Sequence, residues 1–365
     1  MPNDKIRIGI VGVGFGTQVH IPAFQSEGLE VVAVCSRHSD TAEDAAKRFD
    51  IPYAFTNYEE MMSMESIDAI SIATPPSSHS SIVMSALEAG KHVLCEKPFA
   101  SNQDEAWNMW QKAISTGLTA MVCHEFRFTS GRMRVKELLD ENFLGQLHMV
   151  NVNLLTGPRD GFKPRPSTYR DNMDEGVGFL GALGSHYIDC LRHWFGEVSN
   201  VSGQIFTHFP DRLKNDLEII QATSEDTFNF RLNFVNGGWA SMVGSNVAGY
   251  GSGGQIEIYG REGTLVTPHS GIGFNPPPHG KILGAKPGSP GLAEISIPER
   301  LEPFSDDRDD RLMPFRLLTR QFVAGIRNGH SMTPNFYDGY KCQQILDAIR
   351  ESSRTGRTVM IASDV

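Results

Sequence analysis

The stretch Glu96-Lys97-Pro98 sets an amine beside an acid directly after the apolar run His92–Cys95. If that run is a central strand of a parallel sheet, the Lys97 ammonium stands at the strand's carboxyl end, where such sheets bind ligands. A lysine there can relay protons, or it can simply pair with Glu96. A second candidate is Gly12-Val13-Gly14-Phe15-Gly16-Thr17, between an apolar run and a helical one. Glycine permits a tight turn and lets a pyrophosphate approach the outward-pointing N–H groups of a helix start. The third glycine of such a turn usually stands where Thr17 does, and Gly16 comes one residue early. That loosens the expected helix–strand packing without removing the phosphate site. After the second run, Ser36-Arg37 supplies a hydroxyl and a guanidinium where an NAD-type site offers Asp or Glu to the ribose hydroxyls. This pair suits a 2′-phosphate, and Arg37 can also stack on adenine. NADP(H) is therefore favoured, with NAD(H) the alternative and a solvated Arg37 the bland reading.

The elements that would position these groups are legible as short β-branched runs alternating with helical stretches. The runs are 6–11, 31–35, 69–73, 92–95 and 120–123; helices are expected over 19–26, 41–49, 80–89 and 104–116. Continuous apolar strands separated by helices predict a doubly wound, Rossmann-type parallel sheet. Beyond Cys123 the pattern changes. A helix over 132–141 precedes amphipathic strands at 147–154, 198–206, 226–234, 238–244 and 255–260, which predict a mostly antiparallel open sheet with one face covered by helices. Helices return over 314–325 and 338–352. The fold class is thus α/β, a dinucleotide-binding domain over 1–124 followed by an α+β domain over 125–365 for substrate binding and oligomerisation. The Gly-rich stretch 244–254 and the Pro/Gly stretch 267–290 read as lids, binding loops or interface segments.

The 365 residues, 40% of them hydrophobic, suffice for two domains with real cores. A formal net charge of −10 argues against a nucleic-acid partner. Neither a membrane-length apolar run nor a targeting segment is expected, which points to the cytoplasm. Cys35, Cys95, Cys123, Cys190 and Cys342 stand singly, as buried free thiols rather than metal or redox pairs.

Several pieces together carry a resemblance. They are the 12–17 turn with His20-Ile21-Pro22-Ala23, Ala73-Thr74-Pro75-Pro76 with His79, Glu96-Lys97-Pro98, and the run from Gly178 to Asp189. In this order and spacing the chain resembles the Gfo/Idh/MocA oxidoreductases over essentially its whole length. The resemblance implies that Lys97 sits beside the nicotinamide and the reacting hydroxyl, aimed by a cis bond to Pro98. It implies that Thr74, Pro75 and Pro76 line the cofactor, with His79 and Glu96 near it. A lysine facing an oxidised nicotinamide is expected to lose basicity and to take the proton of an alcohol as hydride leaves.

The family's helix motif commonly carries an Asp four residues before its His; here that position is Ala182. His186 remains as Lys97's catalytic partner, with Asp189 one helical turn along. Either His186 acts with Lys97 alone or a replacement comes from the Tyr169-Arg170-Asp171 stretch, where Tyr169 and Arg170 are also candidate substrate contacts. Arg127 could reach the substrate or form an ion pair between domains. A metal held by His186, Asp189 and His193 is rejected, because nothing else supplies convergent ligands. The expected activity is hydride transfer between NAD(P)(H) and a hydroxyl-bearing carbon of a sugar, cyclitol or polyol. The alternatives are a redox-neutral reaction through transient oxidation with tightly held NAD, and a non-catalytic dinucleotide-binding regulator. A homodimer or homotetramer through the second domain's sheet is expected.

Overall fold

The computed structural model describes residues 5–159, 161–175, 177–215, 217–269 and 281–362. They divide into two compact units, 1–128 with 306–343 and 129–305 with 344–365. The chain thus returns to the first unit after completing most of the second.

In the first unit six strands form one parallel sheet: β1 (Arg7–Val11), β2 (Glu30–Cys35), β3 (Tyr53–Phe55), β4 (Ala69–Ile72), β5 (His92–Cys95) and β6 (Ala120–Val122). Their order, β3-β2-β1-β4-β5-β6, reverses between β1 and β4. Ile8, Ile10, Ala69, Ile70, Val93 and Leu94 are fully buried, as continuous apolar strands covered on both faces require. The short β3 was not expected, because its Tyr53 and Ala54 are exposed and it carries no apolar run. The helices Ser39–Phe49, His79–Glu88 and Gln103–Thr116 fall where the apolar spacing puts them. Asn102 caps the last of these by accepting from Glu105 N at 2.9 Å, and Gly117 ends it in the left-handed conformation. The helix Leu312–Asn328 buries Phe315, Leu318 and Phe322 in the same core as Ile8 and Phe24.

The second unit holds β7 (Leu147–Leu155), β8 (Arg165–Pro166), β9 (Val198–Phe206), β10 (Asp211–Lys214), β11 (Glu218–Gln221), β12 (Thr227–Phe234), β13 (Trp239–Ser245), β14 (Gly253–Gly260), β15 (Thr264–His269), β16 (Ile282–Ala285), β17 (Ala293–Ile295) and β18 (Val359–Met360). Nine of them form a sheet in the order β17-β16-β15-β14-β7-β13-β12-β9-β18, and β11-β10-β8 form a small separate one. The large sheet is antiparallel except where β7 and β13 run parallel at its centre. Along β12, Phe228, Phe230, Leu232 and Phe234 are buried while Asn229, Arg231 and Asn233 alternate outward. Of the expected 267–290 loop, 282–285 is strand, and 270–280 lie outside the described residues. All five cysteines are buried, and none forms a disulfide. Among the described residues no helix is long and apolar enough to cross a membrane.

Candidate active site

Each unit contributes candidate residues, and each set is built differently. In the first unit the carboxyl ends of β1, β2 and β4 are tied together: Gly12 N donates to Cys35 O at 2.9 Å and Ala73 N to Val11 O at 2.8 Å. Gly12 has φ 100°, and a Cβ there would lie 2.5 Å from Ala73 O. Only glycine meets both conditions without strain. Gly14 is exposed, with nothing within 4 Å of where a Cβ would stand. The helical segment 13–26 that follows widens into a π-turn over Gly16–His20. Gly16 faces Ile10 and Ala73, so it supplies the close helix–sheet approach that Thr17 does not. Thr17 instead bonds back to Val13 O at 2.8 Å, and Phe15 lies under the Arg311 guanidinium at 5.0 Å. Ser36 is half-buried and Arg37 exposed at the end of β2. An open helix start, a glycine cradle and an exposed cation at the next strand end fit a phosphorylated dinucleotide.

Beyond β4, Thr74 and Pro75 are half-buried and Pro76 is buried. His79 was expected near the cofactor, but it is wholly buried. Its Nε2 lies 2.8 Å from Thr74 O and its Nδ1 3.2 Å from Phe99 O. Burial pulls its pKa down against the pull of those carbonyls and of the Glu96 charge. Its role is to hold the 74–76 turn from behind.

Lys97 is half-buried after β5, and its bond to Pro98 is cis. Glu96, expected among the cofactor contacts, points instead into a buried network. Its Oε1 lies 3.0 Å from His20 Nε2, its Oε2 accepts Lys97 N at 3.1 Å, and His20 Nδ1 lies 2.7 Å from Ser71 Oγ. Burial pushes the Glu96 carboxyl up, but the His20 hydrogen bond, the His20 and Lys97 charges and the Lys97 N–H outweigh it and hold it below its usual range. His20, Glu96 and Cys123 also lie close enough to hold a metal ion, their ligand atoms within 4.8 Å of one another. Chemistry favours a hydrogen-bonded network instead. Both His20 nitrogens already have partners, Ser71 Oγ at 2.7 Å and Glu96 Oε1 at 3.0 Å.

Glu125 escaped the sequence reading. It lies at the start of the 3-10 turn after β6, is 1% exposed, and burial together with the Glu96 charge pushes it to about 8. Its only signal was an acid inside the otherwise uncharged run 118–126, three residues beyond β6. Arg127 pairs with Asp338 at 2.8 Å inside the first unit, where both side chains are largely buried.

In the second unit, His186 and Asp189 are fully buried on the helix Ser185–Phe195, which continues a π-turn over Leu180–Gly184 that carries the half-buried Ala182. Glu225 pins the start of this segment. Its Oε1 accepts Leu180 N at 2.9 Å and its backbone O accepts Phe179 N at 2.9 Å. Burial raises the Glu225 carboxyl, partly offset by the Arg350 charge and backbone N–H groups. Sequence reasoning missed Glu225 because 45 residues separate it from the N–H it caps. Asp171, a candidate replacement acid, is locked: Arg165 Nη1 donates to it at 3.0 Å, Arg212 Nε at 2.7 Å and Thr168 N at 2.8 Å. Burial raises its carboxyl, and these donors outweigh that and lower it. Tyr169 and Arg170 are exposed beside it, with the guanidinium 5.6 Å from the ring centroid.

Comparison with known proteins agrees with this fold. The model of an oxidoreductase family with an NAD-binding Rossmann fold matches residues 6–124, and the model of that family's C-terminal alpha/beta domain matches 136–361. The chain is 30% identical to an uncharacterized oxidoreductase of Synechocystis sp., covering 98% of this chain and 97% of that one. It is 25% identical to levoglucosan dehydrogenase of Pseudarthrobacter phenanthrenivorans, covering 96% of each. It is 22% identical to an NADP(+)-dependent scyllo-inositol 2-dehydrogenase of Bacillus subtilis, covering 98% and 96%. Among solved structures, levoglucosan dehydrogenase in complex with NADH and L-sorbose superposes with a TM-score of 0.88 at 24% identity, covering 99% of this chain and all of that one.

Proposed function

The chain belongs to the Gfo/Idh/MocA oxidoreductase family and is an NAD(P)-dependent dehydrogenase, and on that premise we propose that it moves a hydride between NADP(H) and a hydroxyl-bearing carbon of a sugar, cyclitol or related polyol. One observation carries the reading. The open turn at Gly12–Gly14, the 74–76 turn and the half-buried Lys97 follow β1, β4 and β5 at the carboxyl edge of one sheet, around the point where its strand order reverses. The levoglucosan and scyllo-inositol relatives support the substrate class.

When bound, the dinucleotide supplies the hydride acceptor or donor. The chain's own residues do the rest. N–H groups at the start of segment 13–26 hold the pyrophosphate, and Thr74, Pro75 and Pro76 line the cofactor. Ser36 and Arg37 take a 2′-phosphate, which favours NADP(H) over NAD(H). Lys97 Nζ receives the proton of the reacting hydroxyl during oxidation and returns it during reduction. In the second unit His186 is the candidate for a second catalytic group, and the exposed Tyr169 and Arg170 are the candidates for substrate recognition.

Titration of the purified chain with both cofactors, followed by a panel of polyols, tests the reading. The Lys97→Ala variant should keep its cofactor affinity and lose about 100-fold or more in turnover. A chain that bound neither cofactor would overturn the proposal, and loss of binding in the variant would make Lys97 structural. The outward face of the nine-stranded sheet, which presents Asn151, Arg231, Ser241 and Val243, is proposed to pair with a second copy of the chain. Sedimentation of a monomer across the working concentration range would exclude that pairing.

A further inference from the structure

Two glutamates leave the carboxyl ends of β5 and β6 side by side. Cys95 pairs with Val122 and Cys123 N donates to Cys95 O at 2.8 Å, so Glu96 and Glu125 both follow closely on the last paired positions. Both are buried, at 6% and 1% exposure. Glu96 has His20 and the Lys97 N–H as partners, whereas Glu125 Oε2 is a buried oxygen without a hydrogen-bond partner among the described residues. Two neighbouring carboxyls out of water cannot both ionise cheaply, and the partners decide which one does. The charges facing Glu125 are Glu96 and Lys97 from the end of β5, and Arg311 at the start of the helix Leu312–Asn328, itself paired with Asp309 at 2.5 Å. His20 and the Cys123 thiol complete the cluster around Glu96. Glu96 takes the negative charge. For Glu125, burial and that charge outweigh Lys97 and Arg311, pushing it to about 8.

We propose that Glu125 is kept as a neutral acid at working pH, so that Lys97 faces one carboxylate charge instead of two and can serve as a base toward the substrate hydroxyl. This rests on the dehydrogenase reading and deepens it. In oxidation the substrate O–H bond breaks and a new N–H bond forms on the Lys97 amine, while the C–H electron pair leaves as hydride to the cofactor. The amine must first have lost a proton to water. An ionised Glu125 would hold the ammonium proton more tightly. The pair of ammonium and Glu125 carboxylate carries as many protons as the pair of amine and Glu125 carboxyl, so the inactive form competes directly with the active one. Glu125 is a positioning residue in this scheme, acting through Lys97.

The test starts from the protein without cofactor. Infrared titration should show a protonated carboxyl band at neutral pH that fades as the pH passes about 8 and is missing from Glu125→Gln. Any band from Glu225, whose carboxyl is also raised by burial, is common to both spectra and cancels in their difference. In polyol oxidation the variant lacks the competing form, so the midpoint of the rate–pH limb should fall by about one unit, with about tenfold more rate below it and KM nearly unchanged. Stability gives a third readout. Because the folded-state value lies above the ordinary 4.5, the wild type loses stability as pH rises from 4.5 to about 8. The variant does not, so its Tm advantage should widen across that window. A wild type with no such band at neutral pH overturns the proposal, as does an active Glu125→Gln enzyme whose limb does not move. If that variant fails to fold, Glu125→Asp must shift the band and keep the limb, and a band left in place overturns the proposal. A chain that keeps the band yet oxidises no polyol with either cofactor fails at the dehydrogenase reading, whereas a missing band fails with that reading intact.

Discussion

The helical segment 13–26 and the segment that carries His186 both follow a glycine with positive φ, Gly12 at 100° and Gly178 at 59°, and both contain a π-turn, Gly16–His20 and Leu180–Gly184. Their starts are nevertheless finished in opposite ways. The first has no side-chain cap, and Gly14 keeps the space in front of it clear. The second is closed from inside, because the Glu225 carboxyl accepts Leu180 N and fills the place where a Cβ on Gly178 would stand, 2.1 Å from Glu225 Oε1. A helix start must satisfy its free N–H groups somehow. One left uncapped is available to an anionic ligand, while one plugged by a buried acid is a fixture that aims the residues behind it. The glycine pattern alone does not separate the two cases; the partner that reaches the N–H groups does.

The comparison can be broken most directly at Gly12. Gly12→Val should cost about 100-fold or more in dinucleotide affinity, because a side chain there meets Ala73 O in a backbone conformation that costs about 1–3 kcal/mol. Gly14→Ala has room and should leave affinity within about threefold; titration of both variants by cofactor fluorescence decides. At the closed start, Glu225→Ala should lower stability by about 1–3 kcal/mol, read as a fall in Tm, with dinucleotide affinity unchanged. Weakened cofactor binding in that variant would dissolve the distinction between the two starts. The smallest effect sharpens the open one: Arg37→Ser should weaken NADP(H) by about tenfold while sparing NAD(H), measured as the ratio of the two dissociation constants. An unchanged ratio would leave Arg37 a solvated strand-end residue.

Much of the frame was readable in advance for a physical reason. Strand β1 with its glycine turn, and β5 with Glu96-Lys97-Pro98, announce themselves through apolar runs and glycines whose causes lie within a few residues of one another. The amphipathic strands β12 and β13 announce themselves through their alternation. Strands β3, β17 and β18 carried too little pattern, being two or three residues long with mostly exposed side chains. His79 and Glu96 were expected near the cofactor from the resemblance, and Asp171 was a candidate replacement acid. The folded chain supplies each with internal partners instead: two carbonyls for His79, two arginines for Asp171, and His20 for Glu96.

The amino-acid sequence by itself determined the parallel sheet, the open glycine turn and the position of Lys97 at the end of a central strand, since strand period, glycine geometry and helix starts are local properties. Only the tertiary structure brought the two buried acids together, and with their partners it holds the Glu96 carboxyl below its usual range and pushes the Glu125 carboxyl above it. Glu96 and Glu125 are 29 residues apart in the chain and become neighbours because β5 and β6 pair in parallel. Glu225 meets the start of the His186 segment only through folding of the second unit. An ionisation state is set by everything within a few ångströms, whatever its distance along the chain, and no spacing rule reports that.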